Sequence, residues 1–544
     1  MRVLPVNDNA VLVELADLAE TLALFDALQR EPVAGVLEMV PAARTLLIEF
    51  APWATTPARV AAEVARRDRS QRATAEGALV EVPVRYDGED LAEVAAHLRL
   101  TPAEVIARHT GGTWDVAFTG FAPGFAYLTG GDAVFDVPRR ASPRTRIPAG
   151  SVALAGRYSG IYPRESPGGW QLIGTTAVPM WDLGRVPPAF FQPGQRVRFV
   201  DEASAAGQAL RERLVAASRV SVAVAPSAAP EAVAPASAPA DAGLQVQATG
   251  LQALCQDLGR TGQAGQGVSV SGALDVRAFK AANRLVGNAA DATAIEAVDG
   301  GLTLRALQPV VVAVTGAAGS LTRRSAAGVR EAVPRGTPLA LDPGDVLSLG
   351  EAEAGLRSYV AVRGGFDVAP VLGSRATDTL AGVGPEALRA GQVLAVGQAV
   401  QSAVDMHAVD PATALPVRGE PVTLDVNLGP RTEWFGPDAL ALLTSQDWGV
   451  SPQSNRVGVR LIGEQGLQRK PEMVTAELAS EGTALGALQV PPNGQPVLFL
   501  ADHPLTGGYP VIGCVATHHL HLAAQLPVGA VVRFRVVAPF AEVG

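Results

Sequence analysis

The chain has 544 residues, a net charge of −9, 48% hydrophobic residues and only 18% charged ones. At roughly 150 residues per domain this is room for three or four domains with buried cores. The acidic balance, without any basic–aromatic block, excludes a nucleic-acid partner. There are two cysteines, Cys255 and Cys514, no apolar signal core in MRVLPVNDNA, and no run of about 18 uncharged apolar residues. These features point to a cytoplasmic chain with no disulfide framework and no bilayer span. The 57 Gly and 41 Pro supply the turns of a strand-rich fold.

Residues 1–78 alternate element types. VLVEL (11–15) predicts a strand, TLALFDALQR (21–30) a helix, VAGVLEMV and TLLIEF two strands around Pro41, and PARVAAEVARRDR (57–69) a second helix. This β-α-β-β-α order resembles a small ferredoxin-like module. Residues 79–203 carry short strands between Gly and Pro turns, which suggests a β-barrel. In 204–243 a helical piece (Glu202 to Ala217) runs into the Ala/Pro/Ser-rich stretch Ser218–Gly243, predicted to be a semi-extended linker. Residues 244–544 return to short strands and suggest a larger, two-lobed barrel. A Pro/Gly turn followed by an alternating apolar strand recurs as PGQRVRF (193–199), PGDVLSL (343–349) and PVGAVVRF (527–534).

Only Lys280 and Lys470 are lysines, and neither lies in a Walker A loop; no G-x-S-x-G elbow is present. A nucleotide site would therefore use arginines, backbone amides and a metal. GFAPGFAYL (120–128), with Gly124, suits either a tight turn beside a ligand or a packed hairpin corner. Residues 139–164 hold Arg139, Arg140, Arg144, Arg146, Arg157 and Arg164 without an acid among them. The planar guanidinium fork fits phosphate or carboxylate, so such a run predicts an anion or, alternatively, a solvated basic face. Gly168 and Gly169 in SPGGW could bring backbone N–H groups to an oxyanion. Asp257, Arg260, Asp275, Asn283 and Glu296 are polar residues in small, apolar surroundings. Farther on, Arg363, Arg375, Arg431, Asn455, Arg456, Glu472, Thr506, Gly507, Gly508 and Tyr509 stand in Gly-rich or polar blocks. His518, His519 and His521 lack a matching carboxylate or Cys spacing, so an exposed turn is preferred over a metal site.

GFAPGFAYL, PRTRIPAGSVALAG, GIYPRESPGGWQLIGTT and PGQRVRF resemble the B subunit of bacterial 5-oxoprolinase, also called the kinase A inhibitor or allophanate hydrolase subunit 1 family. QDLGRTGQAGQGVSVSGALD, AANRLVGN, VAVRGGFDVAPVLGSRAT, SNRVGVRL, PEMVTAEL and TGGYP resemble the C subunit, or allophanate hydrolase subunit 2. The resemblance implies a mainly β fold with α+β parts, having cyclophilin-like barrels in both halves. It implies an ATP-dependent hydrolase that turns 5-oxo-L-proline, ATP and two waters into L-glutamate, ADP and phosphate. ATP with Mg2+ would be the cofactor, and a separate 5-oxoprolinase A subunit the partner. No biotin is attached to this chain, no nucleic acid or membrane is a partner, and a homo-oligomer is left open. The same modules resemble the carboxyltransferase region of urea carboxylase, and a non-enzymatic histidine-kinase regulator is the remaining alternative. Arg144, His109, Arg431, Arg456 and Glu472 become candidate catalytic residues. Gly124, Arg157, Gly168, Gly169, Asp257, Arg260, Asn283, Arg363, Arg375, Asn455, Thr506, Gly507, Gly508 and Tyr509 become candidates for holding substrate or ATP, and no residue is assigned to a metal.

Overall fold

The computed structural model describes residues 1–69, 77–140, 142–223, 242–407 and 415–544. The N-terminal module is a four-stranded antiparallel sheet of β1 (Arg2–Asn7), β2 (Ala10–Glu14), β3 (Val36–Pro41) and β4 (Thr45–Phe50), in the order β1-β2-β4-β3. Helices Leu18–Arg30 and Pro57–Arg66 complete it. Strand β1 is not among the predicted elements; it carries Pro5, which lacks a ladder donor and is tolerated at the edge of this sheet. Side chains alternate across the sheet. Val3, Val11, Val13, Leu46 and Ile48 pack with Leu24, Leu28, Val60 and Val64 of the helices. On the opposite face Leu4, Val6, Leu12 and Leu47 join Phe499, Leu505, Val511 and Cys514 from the far end of the chain. Both faces are thus buried, one of them by a partner hundreds of residues away.

Residues 79–201 form a seven-stranded sheet around a core that includes Val82, Trp114, Leu128, Leu154 and Phe199. Its first strand, Leu79–Val84, and its last, Arg196–Asp201, pair in parallel. The C-terminal lobe repeats this plan as a closed seven-stranded barrel in which Pro421–Leu428 and Val531–Ala538 make the parallel pair. The repeat extends to detail. Helices Pro102–Gly111 and Pro437–Ser445 each start with proline, and each precedes a strand opening on a buried tryptophan. Trp114 Nε1 donates to His109 O at 3.2 Å, and Trp448 Nε1 to Leu443 O at 3.0 Å. Between the two barrels, residues 244–394 build a six-stranded and a five-stranded sheet over a shared core. Helix Val276–Leu285 covers the second sheet through Phe279, Ala282 and Leu285.

The turn-then-strand repeats predicted from sequence are the strands Arg196–Asp201, Val346–Leu349 and Val531–Ala538. The helix before the linker runs on to Ala223, beyond its expected end. Most of the expected linker, 224–241, lies outside the described residues.

Because one face of the N-terminal sheet is buried against Phe499, Leu505, Val511 and Cys514 of the right half, packing should hold the halves together without the covalent tether. Residues 1–223 and 242–544, co-expressed as two chains, should copurify and elute as one species at micromolar concentration by size-exclusion chromatography. Two independently eluting chains would refute this.

Candidate functional site

The two halves meet at the turn that follows strand Trp114–Thr119. Thr119 Oγ1 donates to Ala264 O at 2.8 Å, Gly124 N to Gln266 O at 2.9 Å, and Phe121 N to Thr506 Oγ1 at 3.0 Å. A methyl group at Gly120 would stand 2.4 Å from Thr506 Oγ1 and 2.6 Å from its Cγ2. Phe121 is held at φ +62° and, across the junction, Ser271 at φ +56°. Left-handed conformations of this kind cost energy in non-glycine residues and persist only where the surroundings enforce them.

Aromatic rings of the left barrel line this junction. Phe121 meets Phe125 and Tyr162 edge-on, with centroids 5.2 and 6.0 Å away, and Tyr127 and Trp170 pack behind them. The Tyr162 hydroxyl leaves no room for a side chain at Gly168, where a Cβ would approach it to 2.3 Å. Ser480 Oγ of the right half donates to the Tyr127 hydroxyl at 3.4 Å. Arg139 reaches the Gly507–Gly508 turn, its Nη1 lying 3.2 Å from where a Gly508 Cβ would be. The structure therefore brings together Gly124, Gly168, Thr506, Gly507 and Gly508 from the predicted set. It adds Phe121, Arg139 and Tyr162, which the sequence left unassigned.

Below the junction lies a buried ion network. Arg456 donates from Nε to Asp502 Oδ2 at 3.0 Å, from Nη2 to Asp502 Oδ1 at 2.9 Å and to Gly272 O at 2.7 Å, and from Nη1 to Glu296. Glu296 also accepts from the Tyr359 hydroxyl at 2.7 Å and Leu274 N at 3.0 Å. Asp502 accepts from Ser271 Oγ at 2.6 Å and from Thr379 N and Oγ1 at 2.8 and 2.7 Å. Burial works against the charge on Arg456, but the Asp502 and Glu296 carboxylates hold its pKa above the ordinary arginine value. Every fork position of Arg456 is occupied within the protein, so it ties the central sheets to the C-terminal barrel.

Several other candidates are also occupied. His109 is buried, stacked on Phe199, and bonded at Nδ1 to the Tyr86 hydroxyl (2.7 Å) and at Nε2 to Ser159 Oγ (3.1 Å). Burial pushes its pKa down to about 3, which leaves a neutral core imidazole. Arg144 grips Asp90 at 2.9 and 2.7 Å and Glu89 at 3.0 Å, while Arg140 and Leu172 N also donate to Asp90. Burial opposes ionisation of Asp90, but these donors outweigh it and hold its pKa below the usual value. Arg431 is buried between Glu481, Glu14 and Glu433, and so ties the N-terminal module to the last barrel. Glu472 is exposed on a short 3-10 turn. Arg157 is exposed at a hairpin tip, 3.9 Å from Asp136.

The remaining candidates brace the backbone. Asp257 accepts from Gly259 N, Ser374 Oγ and Arg375 N. Asn283 spans Ala292 O and Asn288, and Asn455 Oδ1 closes its own turn onto Val457 N. Arg363 donates to Val286 O and Ser402 O, and the exposed Arg375 to Val368 O. Tyr509 is 39% exposed and Gly169 O accepts from Arg140 N. The arginine run at 139–164 is thus largely compensated, by acids outside it: Asp90, Glu89, Glu165 and Asp136. The guanidiniums of Arg139 and Arg164 make no hydrogen bond or ion pair among the described residues.

A cavity of about 1040 Å3 lies between the N-terminal module, Gln192–Arg196 and the Gly262–Gln266 loop. None of Arg139, Arg164 and Arg260 lines it. Among the described residues one group could hold a metal ion, Asp425 with His518 and His519. The histidines sit on a 3-10 turn, and Asp425 is the carboxylate that sequence spacing did not reveal. Arg535 grips both Asp425 oxygens at 2.7 and 2.9 Å, and with His518 holds its pKa at about 2. His519 Nδ1 accepts from Asp425 N. A cation there would have to displace a guanidinium, so the cluster is a salt bridge. Both cysteines are free and buried, and burial pushes the Cys255 thiol up to about 12.

Residues 266–536 match the model of the carboxyltransferase domain, subdomain A and B, and residues 1–191 that of subdomain C and D. The C subunit of 5-oxoprolinase from Escherichia coli (strain K12) is 36% identical over 295 residues, covering 54% of this chain and 90% of that protein. The B subunit of 5-oxoprolinase from Escherichia coli O157:H7 is 35% identical over 209 residues, covering 36% of this chain and 94% of that protein. The crystal structure of TTHA0988 superposes with a TM-score of 0.77 at 34% identity, covering 97% of this chain and 99% of that one.

Removing one partner from a buried ion network leaves the others charged and unpaired. Arg456→Met should therefore lower unfolding free energy by roughly 3–5 kcal/mol in urea titrations. Arg456→Lys should recover little of it, since an ammonium cannot span Asp502, Glu296 and Gly272 O at once. Unfolding midpoints equal to wild type would show that the network is not a structural tie.

Proposed function

This chain belongs to the carboxyltransferase-domain family that includes the B and C subunits of 5-oxoprolinase, and we propose that it is the fused B–C component of an ATP-dependent 5-oxoprolinase. One observation carries the reading. Each half matches nearly the whole length of one of those two proteins, and the halves here converge on a common junction of glycine turns, aromatic rings and uncommitted arginines.

The chemistry suits those residues. A lactam resists hydrolysis because its C–N bond keeps amide resonance. In the proposed step the lactam oxygen attacks the γ-phosphorus of ATP, the bond to the leaving oxygen breaks, and ADP departs. The resulting phosphorylated imidate carries an electrophilic carbon. One water adds there and the C–N bond opens, the nitrogen taking up protons to become the free amine and the carbon becoming an acyl phosphate; a second water then displaces phosphate to leave glutamate, a stage assigned to a separate A subunit. Charge spreads over the phosphoryl oxygens during transfer, so catalysis of the first step is positioning and electrostatic stabilisation. Arg139 and the Gly507–Gly508 turn would do that work; Phe121, Tyr162 and Trp170 would exclude water around the ring. Mg2+ would arrive on the nucleotide phosphates, as it commonly does, since the nitrogen-rich Asp425 cluster does not suit it. Reduced thiols and ATP agree with a cytoplasmic setting.

A second reading, a carboxyltransferase acting on an amide with carboxybiotin, is favoured by the family description itself. Neither Lys280 nor Lys470 lies in a Met-Lys-Met setting, so the biotin would be carried by another chain.

The purified chain alone should release no glutamate from 5-oxo-L-proline, and addition of the A subunit with Mg-ATP should produce glutamate, ADP and phosphate in equal amounts. Robust turnover by the lone chain would contradict the division of labour. A signal that depends on a biotinylated carrier and bicarbonate would favour the second reading.

A further inference from the structure

Two guanidiniums at the junction, one from each half, keep donors that nothing accepts. Arg260 is 2% exposed, and its Nη2 donates to Ala376 O. Its Nε and Nη1 are buried without any acceptor. Arg164, half-buried in the loop before strand Ser166–Gly168, has its Nε covered and likewise unpaired. Both lean on the same turn of the right half, closed by the bridge between Asp378 and Val383. A methyl at Gly384 would lie 3.1 Å from Arg260 Nη2; one at Gly382 would meet only Arg164 Nη1, at 3.9 Å. The space over Gly382 is therefore open apart from the Arg164 fork.

Asp257 and Asp502 also act electrostatically on Arg260, but the one acid that acts on both arginines does not satisfy them. Asp378 acts electrostatically on both arginines, yet neither forms an ion pair with it. Its oxygens are committed to Ala381 N at 2.7 Å and Ser269 Oγ at 3.1 Å. Burial, and then Asp502, raise its pKa above the usual carboxylate range, so it is a weak counter-ion. Arginine cannot escape by losing its proton. Buried polar groups in native proteins are almost always bonded, to protein, water or ligand. The guanidinium fork is shaped for two oxygens of one anion.

We propose that Arg164 and Arg260 form an oxyanion site across the two halves, above the Asp378–Gly384 turn, with Arg260 as its floor and Arg164 at its rim. Only the identity of the ligand rests on the 5-oxoprolinase reading: the oxygens belong to the carboxylate of 5-oxo-L-proline or to a nucleotide phosphate. The site also accounts for the two halves acting together, since neither contributes both forks.

Isothermal titration calorimetry on the full chain tests this with 5-oxo-L-proline, Mg-ADP and inorganic phosphate as separate ligands. Arg164→Gln should weaken binding of at least one of them by about 10-fold or more, and Arg260→Gln should weaken the same one. Loss confined to 5-oxo-L-proline identifies the carboxylate; loss for Mg-ADP and phosphate identifies the phosphate. Arg66→Gln, on an exposed helix face, should leave all three unchanged. If Arg260→Gln fails to fold, the rim variant still decides. A wild-type chain that binds none of the three, or an Arg164→Gln chain that binds all of them normally, would overturn the site and leave water as the partner of these donors. Oxoproline turnover by wild type with the A subunit is measured alongside. Its absence, with Arg164-dependent anion binding retained, would sink the functional reading and leave the site standing.

Discussion

The approach of Gly120 to Thr506 is the constraint on which the junction depends. No side chain fits between them, and the hydrogen bonds from Thr119, Phe121 and Gly124 to the right half lie within a few residues of that contact. A turn held this closely fixes where the aromatic rings of the left barrel stand relative to the Gly507–Gly508 turn and Arg139. The N-terminal sheet adds a second, apolar attachment through Leu4, Val6 and Leu12, and Arg431 with Glu14 a third, ionic one. Three attachments of different physical kind leave the halves little freedom to shift against each other.

The repeated barrel explains why two glycine turns occupy the junction. SPGGWQLIG (166–174) and LTGGYPVIG (505–513) hold corresponding places in their barrels. In each, a short strand ending on the first glycine is half of a small two-stranded sheet, and the strand after the glycines enters the barrel. The two turns differ in what surrounds them. The left turn is backed by the Tyr162 hydroxyl, whereas the right one receives Arg139 from the other half. The two frames are similar, and the difference between their contents is what a specific ligand could use.

Much of this was legible in sequence. Alternating apolar residues gave three of the four strands of the N-terminal sheet, and the turn motifs marked three later strands, two of which make the parallel pairs of the barrels, because Pro and Gly fix where a chain can reverse. The Trp114 and Trp448 anchors were also readable, as two Pro-started helices each followed by Trp, but only by comparing halves. What escaped was long-range pairing. Six arginines without an acid at 139–164 suggested an anion site, yet Asp90 and Glu89 lie about fifty residues earlier in the chain. Arg456 and Arg431 stood in polar, Gly-rich blocks for the same reason that blocks of that kind surround ligands. Buried charges need close backbone approach and several donors, whether the partner is a ligand or Asp502. Sequence spacing cannot tell these apart, whereas the buried unpaired donors of Arg164 and Arg260 do.

The most direct test of the account is the substitution Gly120→Ala. The backbone there is not in the left-handed region, and the atoms nearest to an added methyl are those of Thr506. Gly111→Ala, whose methyl would meet nothing within 4 Å, is the control. With the A subunit present, Gly120→Ala should cut oxoproline-dependent ATP turnover at least ~10-fold, as small displacements of reacting groups do, while Gly111→Ala should match wild type. A Gly120→Ala chain that turns over at the wild-type rate would mean that the junction between the halves is not where the reaction takes place.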